Sequence, residues 1–303
     1  MSIVEKAIDR MKARAPEVRG GDEAPERAVP EARVERLPLA APQEILAAAA
    51  EPAAEAEVLE HRRQSGEHAG FNPELSRVGQ LRTQMRALRR KVLDATVAVR
   101  DAGRAPVVAV TSAAPGEGKS FTAFHLAMSF TVEADVAPVL VDADLMRQQA
   151  SRLFTKATVG GVSASLEQDL PLAGTVCRTD IPNLCFVPAG NGTQSAIEHL
   201  GGARWNRLVA EMHAAGPRRV YVIDTPPVLA TTEAQYLARS ADIVLFVVRS
   251  EVSPHQSVAE SLERMGPQAN VAFVFNGRVS TGSDIYYGYS YYGDGDAKEP
   301  TKG

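Results

Sequence analysis

The chain has 303 residues, 45% of them hydrophobic, and a formal net charge of −4. That length suits one large α/β domain with appendages, and the slight acidity argues against nucleic acid as a partner. Two cysteines, Cys177 and Cys185, lack metal-ligand or C-x-x-C spacing and read as ordinary thiols of a reduced, cytoplasmic protein.

Residues 1–15 pattern as a short amphipathic helix, with Ile3, Val4, Ala7, Ile8 and Met11 on one face. Alone it is too short to be stable, so it is either a docking element or a frayed terminus. Residues 16–70 are rich in alanine, proline and glutamate and hold no sustained apolar period, which predicts a disordered linker. A folded domain is expected over 71–280, with a flexible tail over 281–303. No apolar run reaches the length of about 18 residues needed to cross a membrane, and no signal-peptide core is present, so the chain itself reads as soluble.

Helical spacing appears over 72–100, with Val78, Leu81, Met85, Leu88, Val92 and Leu93 on one side. The other side carries Arg77, Arg82, Arg86, Arg89, Arg90 and Lys91, either a solvated face or a protein-docking face. Near-continuous apolar runs at 107–111, 138–142, 184–187, 220–224, 243–248 and 271–275 predict strands covered on both faces. Helical patterns over 121–130, 195–200, 205–214, 232–240 and 254–265 separate most of them. This alternation predicts a doubly wound, mostly parallel sheet, with ligands at the carboxyl ends of its strands.

The first strand runs into Ala113, Ala114, Pro115, Gly116, Glu117, Gly118, Lys119 and Ser120, with Phe121 opening the next helix. This is the phosphate-loop pattern G-x-x-x-x-G-K-[ST] with Ala113 at its first glycine. Backbone N–H groups around Gly116, Gly118 and Lys119 can cradle a polyphosphate at the positive end of the helix. Lys119 would reach the β- and γ-phosphates, and the Ser120 hydroxyl would take a position on Mg²⁺. Two more strands end in carboxylates: Asp142, with Asp144 two residues on, and Asp224, followed by Thr225-Pro226-Pro227. A strand-end aspartate beside such a loop is where Mg²⁺ is held in P-loop enzymes.

These three stretches resemble the Walker A, Walker A′ and Walker B motifs of the bacterial tyrosine kinases, the autokinases of capsule and exopolysaccharide synthesis. The similarity runs over about residues 105–277 and extends to Gly161-Val162-Ser163 and Pro188-Ala189-Gly190. The tail is similar too: Tyr286, Tyr287, Tyr289, Tyr291 and Tyr292 are five of the chain's seven tyrosines. The N-terminal helix resembles the branch associated with exosortase-type exopolysaccharide systems. The resemblance implies a P-loop ATPase fold and ATP with Mg²⁺. It makes Lys119, Asp142 and Asp144 the catalytic groups, Asp142 being the base. Ser120, Asp144 and Asp224 fall on the metal side, Asn276 meets the adenine, and the five tail tyrosines accept phosphate. It also implies a membrane chain-length regulator as activator, self-association, a protein-tyrosine phosphatase, and a peripheral place at the inner face of the plasma membrane.

The family's assembly motif, E-x-x-R-x-x-R, has no full match: one register offers Glu74, Arg77 and Gln80, another Ser76, Gly79 and Arg82. Ala114 stands where partitioning ATPases carry a signature lysine, and His125, where relatives have Asn, reads as a packing residue. The tyrosines, flanked by Asp284, Asp294 and Asp296, also fit an adhesive or solvated low-complexity tail. A non-kinase ATPase switch and an ATP-binding regulatory subunit of an export complex are the alternative functions.

Overall fold

Strands whose residues are apolar on both sides can be stable only between two layers of helices, and the computed structural model has that form. It describes residues 57–62, 71–77, 79–155 and 160–277. The N-terminal helix, most of the linker, Val78 and the tyrosine tail lie outside the described residues.

The elements in chain order are β1 (Val58–Leu59), α1 (Gly79–Ala95), α2 (Val97–Asp101), β2 (Val107–Ser112), α3 (Lys119–Phe130) and β3 (Ala137–Asp142). There follow α4 (Gly161–Glu167), β4 (Cys177–Thr179), β5 (Cys185–Val187), α5 (Gln194–His199) and α6 (Ala203–Ala214). The chain closes with β6 (Arg219–Asp224), α7 (Glu233–Ser240), β7 (Ile243–Arg249), α8 (His255–Met265) and β8 (Val271–Asn276). They build one eight-stranded sheet in the order β1-β4-β5-β3-β6-β2-β7-β8.

Alternate strand residues feed opposite layers. Val108, Val110, Leu140 and Val222 face Phe124, Leu126 and Phe130 of α3. Val107, Val139, Val141 and Ile223 pack with Trp205, Leu208 and Met212 of α6. The register aligns the tips that matter: Asp142 of β3 lies opposite Asp224 of β6, and Asp224 opposite Val110 of β2.

Three features depart from the sequence expectation. The helix foreseen over 72–100 is broken: a 3₁₀ turn covers Pro73–Arg77, and α1 and α2 are separated at Thr96. Thr96 is buried and its hydroxyl donates back to Val92 O at 2.7 Å, a bond that favours a bend. Arg89 is not on the solvated face, because its guanidinium donates to Ser129 O at the end of α3 and pairs with Glu133 at 2.7 Å. A cation there complements the carboxyl end of that helix.

The sheet also has two strands that no pattern foretold. β4 runs antiparallel to β5, since the link between them is too short for a crossover. β1 pairs parallel with β4 and lies within the stretch whose composition reads as linker. Leu59, 1% exposed, anchors it in the core. Both cysteines are free thiols, and burial pushes Cys177 up to about 12, so it is chemically quiet.

Candidate active site

The loop between β2 and α3 is held by its carbonyls and by one buried side chain. Asn276 Nδ2 donates to Glu117 O at 3.0 Å, and Arg249 donates to Gly116 O at 3.1 Å. The Glu117 carboxylate, 3% exposed, accepts the Ala114 N–H at 2.8 Å and the Ser253 hydroxyl. With those carbonyls engaged, the N–H groups of the first turn of α3 have no intrahelical partner and are available to an anion. Gly118 has φ of +98°, and a Cβ there would lie 1.9 Å from Asn276 Nδ2. Backbone angle and space both require glycine.

Ala113, the departure from the loop pattern, is fully buried, so the small side chain is accommodated. Pro115 and Gly116 are exposed at the loop's outer edge. Phe121 directs its ring at Phe71 and His125, with centroids 6.0 and 4.4 Å away, so only its backbone can serve a phosphate. His125 is buried against Phe121 and Phe124, as its reading as a packing residue expected.

Facing the loop, the tips of β3 and β6 bring three carboxylates around one ammonium. Lys119 Nζ is 2.9 Å from Asp144 Oδ2 and 3.6 Å from Asp224 Oδ1, and it reaches Ser120 Oγ at 3.4 Å. Asp142 is held differently: one oxygen accepts the N–H and hydroxyl of Ser151, both at 2.7 Å, and the other accepts the Asp144 N–H at 3.2 Å. Asp144 also accepts the Arg147 N–H at 3.1 Å. Among the described residues neither oxygen of Asp224 has a hydrogen-bond partner of normal geometry, although its residue is completely buried.

Buried charge of one sign in excess raises proton affinity. Burial, then Asp224, pushes Asp142 up to about 7, against the opposing Ser151 bonds. Burial likewise raises Asp224, opposed by Lys119 and Ser120. Burial alone would lower Lys119, but Asp224, Asp144 and Asp142 together hold it above its ordinary value.

A free aspartate titrates near about 3.9, so between that value and about 7 the folded chain binds a proton at Asp142 that the unfolded chain does not. The resulting stabilisation is complete below the unfolded value and is lost as pH rises through about 7. The melting temperature of the ligand-free chain is therefore expected to fall between about pH 6 and pH 8, and a flat profile would contradict this charge balance.

The donor set suits a hard divalent cation. Two carboxylate charges exceed the single lysine, two oxygens of Asp224 lack partners, and the Ser120 hydroxyl is adjacent. Among the described residues no group of three His, Cys, Asp or Glu side chains could hold a metal by itself. Mg²⁺ ordinarily binds through one or two protein groups together with substrate phosphates. Sequence reasoning missed Ser151, Ser253 and Arg249, whose roles depend on contacts distant along the chain and leave no local pattern.

A mostly parallel sheet with this loop and these strand-tip aspartates defines a P-loop nucleotide-binding domain. No protein-family model matches the chain. Tyrosine-protein kinase CpsD of Streptococcus agalactiae is 27% identical over 198 residues, covering 63% of this chain and 83% of that one. The putative tyrosine-protein kinase EpsB of Ralstonia nicotianae is 33% identical over 200 residues, covering 65% of this chain but 26% of that protein. The solved BceF tyrosine kinase domain matches with a TM-score of 0.54 at 26% identity, over 64% of this chain and 76% of that one. The chain is thus similar to bacterial tyrosine kinases in sequence and to a tyrosine kinase domain in fold.

Proposed function

We propose that the chain is an ATP-dependent tyrosine autokinase that modifies Tyr286, Tyr287, Tyr289, Tyr291 and Tyr292 and thereby regulates exopolysaccharide polymerisation and export. The observation that carries this reading is the buried Lys119–Asp144–Asp224 cluster, with Asp142 beside it, set against a phosphate loop. ATP lies on the loop with its γ-phosphate toward the strand tips, and Asn276 borders the adenine. Ser120, Asp144 and Asp224 would hold Mg²⁺, which when bound would neutralise phosphate charge.

Transfer breaks the bond from the γ-phosphorus to its bridging oxygen and forms one to the tyrosine oxygen. Lys119 offsets charge on the transferred group. A free tyrosine titrates near about 10, so its proton must pass to a base as the new bond forms. Asp142, poised at about 7, is that base. Positioning supplies most of the remaining acceleration.

Among the described residues no helix is long and apolar enough to cross a membrane. The proposed activator is a membrane chain-length regulator that holds the kinase at the inner face of the plasma membrane. A protein-tyrosine phosphatase resets the tail, and self-association presents it.

Replacing the five tail tyrosines with Phe is expected to remove most phosphotyrosine while leaving ATP affinity unchanged. Mixing this variant with a tail-intact Lys119→Met chain reads direction: label on the latter means transfer between chains. Persistence of full labelling in the all-Phe variant would place the acceptors elsewhere.

A further inference from the structure

The phosphate loop is gripped from outside by the turn that follows β7, residues 249–253. Within that turn the Val252 and Ser253 N–H groups return to Arg249 O at 3.2 and 2.9 Å. Glu251 takes a left-handed φ of +62°, uncommon for a residue with a side chain. The Ser250 N–H donates to Asn276 O at 2.8 Å, which ties the turn to the end of β8. The Ser253 hydroxyl accepts the Arg249 N–H at 2.9 Å and donates to the Glu117 carboxylate. The transfer step uses none of these bonds, yet they converge on the one loop that must meet the nucleotide.

The direction of the carbonyls decides where the loop's donors point. Gly116 O accepts from the Arg249 guanidinium at 3.1 Å, and Glu117 O from Asn276 Nδ2 at 3.0 Å. In a planar trans peptide the carbonyl and the following N–H point in opposite directions. Two carbonyls held this way turn the N–H groups of Glu117 and Gly118 away from Arg249 and Asn276. Gly116 and Gly118, at φ of +84° and +98°, have angles of the kind that gather successive N–H groups into an anion-binding concavity. The buried Glu117 carboxylate closes the ring, taking the Ala114 N–H at 2.8 Å on one oxygen and the Ser253 hydroxyl on the other. Leaving a buried carboxylate short of a partner is costly, so the shape of the loop depends on the turn.

We infer that Ser253 and Arg249 are positioning residues for the nucleotide. From the turn between β7 and α8 they hold the loop's N–H groups ready for a nucleoside polyphosphate, Ser253 through Glu117 and Arg249 through Gly116 O. The inference rests on the nucleotide-binding part of the reading above. Neither side chain touches the ligand in this role. A loop set in advance loses less conformational freedom when the anion arrives. By linkage, the bound anion steadies the turn in return. Glu251 and Val252 are exposed, so the turn joins the protein's surface to its phosphate site.

The test titrates Mg²⁺ and ADP carrying a fluorescent ribose label into full-length variants whose ligand-free melting shows them folded. Ser253→Ala is expected to weaken binding about tenfold, the low end for a hydrogen bond to a charged group. Ser253→Thr, which keeps the hydroxyl, is expected to restore it. Arg249→Ala acts at a separate carbonyl and is expected to weaken binding about threefold. Adding Ser253→Ala to Glu117→Ala is expected to cost nothing further, because both remove the same contact. In the wild-type chain ADP is expected to slow amide hydrogen exchange over 249–253. Unchanged ADP affinity in folded Ser253→Ala and Arg249→Ala chains would overturn the inference and leave the nucleotide reading intact. So would a Ser253→Thr chain as weak as Ser253→Ala, or fully additive losses with Glu117→Ala. A wild-type chain that binds no ADP would remove the nucleotide reading and the inference with it. The expected pattern with ADP, but no phosphotyrosine with ATP, would support the positioning role and sink the kinase reading.

Discussion

Lys119→Met is expected to lower tyrosine phosphorylation by about a hundred- to a thousandfold, the range found when one charge-stabilising donor is removed from a transition state. In the proposed mechanism Lys119 meets the β- and γ-phosphates, and methionine keeps its length without its charge. Its place in the structure adds a second effect. Lys119 pairs with Asp144 and Asp224 in a buried site, so its loss leaves three carboxylates without a counter-charge. Removing one partner of a buried pair costs about 3–5 kcal/mol. The folded state can recover part of that by taking up protons. The variant is thus expected to melt lower than the wild-type chain at about pH 8, with a smaller deficit at about pH 6. Phosphotyrosine by mass spectrometry and melting at the two pH values read the two effects separately. Undiminished phosphorylation in a folded variant would remove Lys119 from the mechanism.

Asp224→Asn is expected to lose phosphorylation by about a hundredfold or more and yet to melt higher when no ligand is bound. Both oxygens of Asp224 are buried without hydrogen-bond partners among the described residues, in a cluster with more negative than positive charge. Asparagine keeps the shape and removes one excess charge. A gain of about 1–2 kcal/mol corresponds to a rise of a few degrees for a domain of this size. Asp142→Asn makes the contrast: its oxygens are engaged by Ser151 and by the Asp144 N–H, and an amide cannot accept at both ends. That variant should gain no stability and should retain Mg²⁺·ATP binding better than transfer. Equal behaviour of the two variants in melting and in nucleotide binding would contradict the division of roles.

The parts of this site that could be read from the sequence share a physical origin. β2, β3, β6 and β7 are buried on both faces, so their runs of Val, Ile and Leu mark them without reference to partners. The phosphate loop is legible because one short stretch must supply glycine angles, a lysine and a hydroxyl together. What could not be read depends on register across the fold. Glu117 meets Ser253, 136 residues away, and Ser151 meets Asp142 only because a turn after β3 brings it back. β1 has two residues and β4 three, too few for any period to show, and the composition around β1 reads as linker. Arg89 reads as part of a solvated or docking face because its helical position says nothing of which neighbour lies opposite, and the end of α3 lies there. The tail tyrosines remain a reading from sequence, outside the described residues.

The most direct test of the central claim is intact-mass and peptide mass spectrometry of the purified chain after incubation with ATP and Mg²⁺. The kinase reading predicts mass added in phosphate steps, mapped to tyrosines within 286–292, and absent when Mg²⁺ is removed or Lys119 is Met. Hydrolysis of ATP with nucleotide-dependent association, and no phosphotyrosine with the proposed activator present, would contradict it and assign the fold to an ATPase switch.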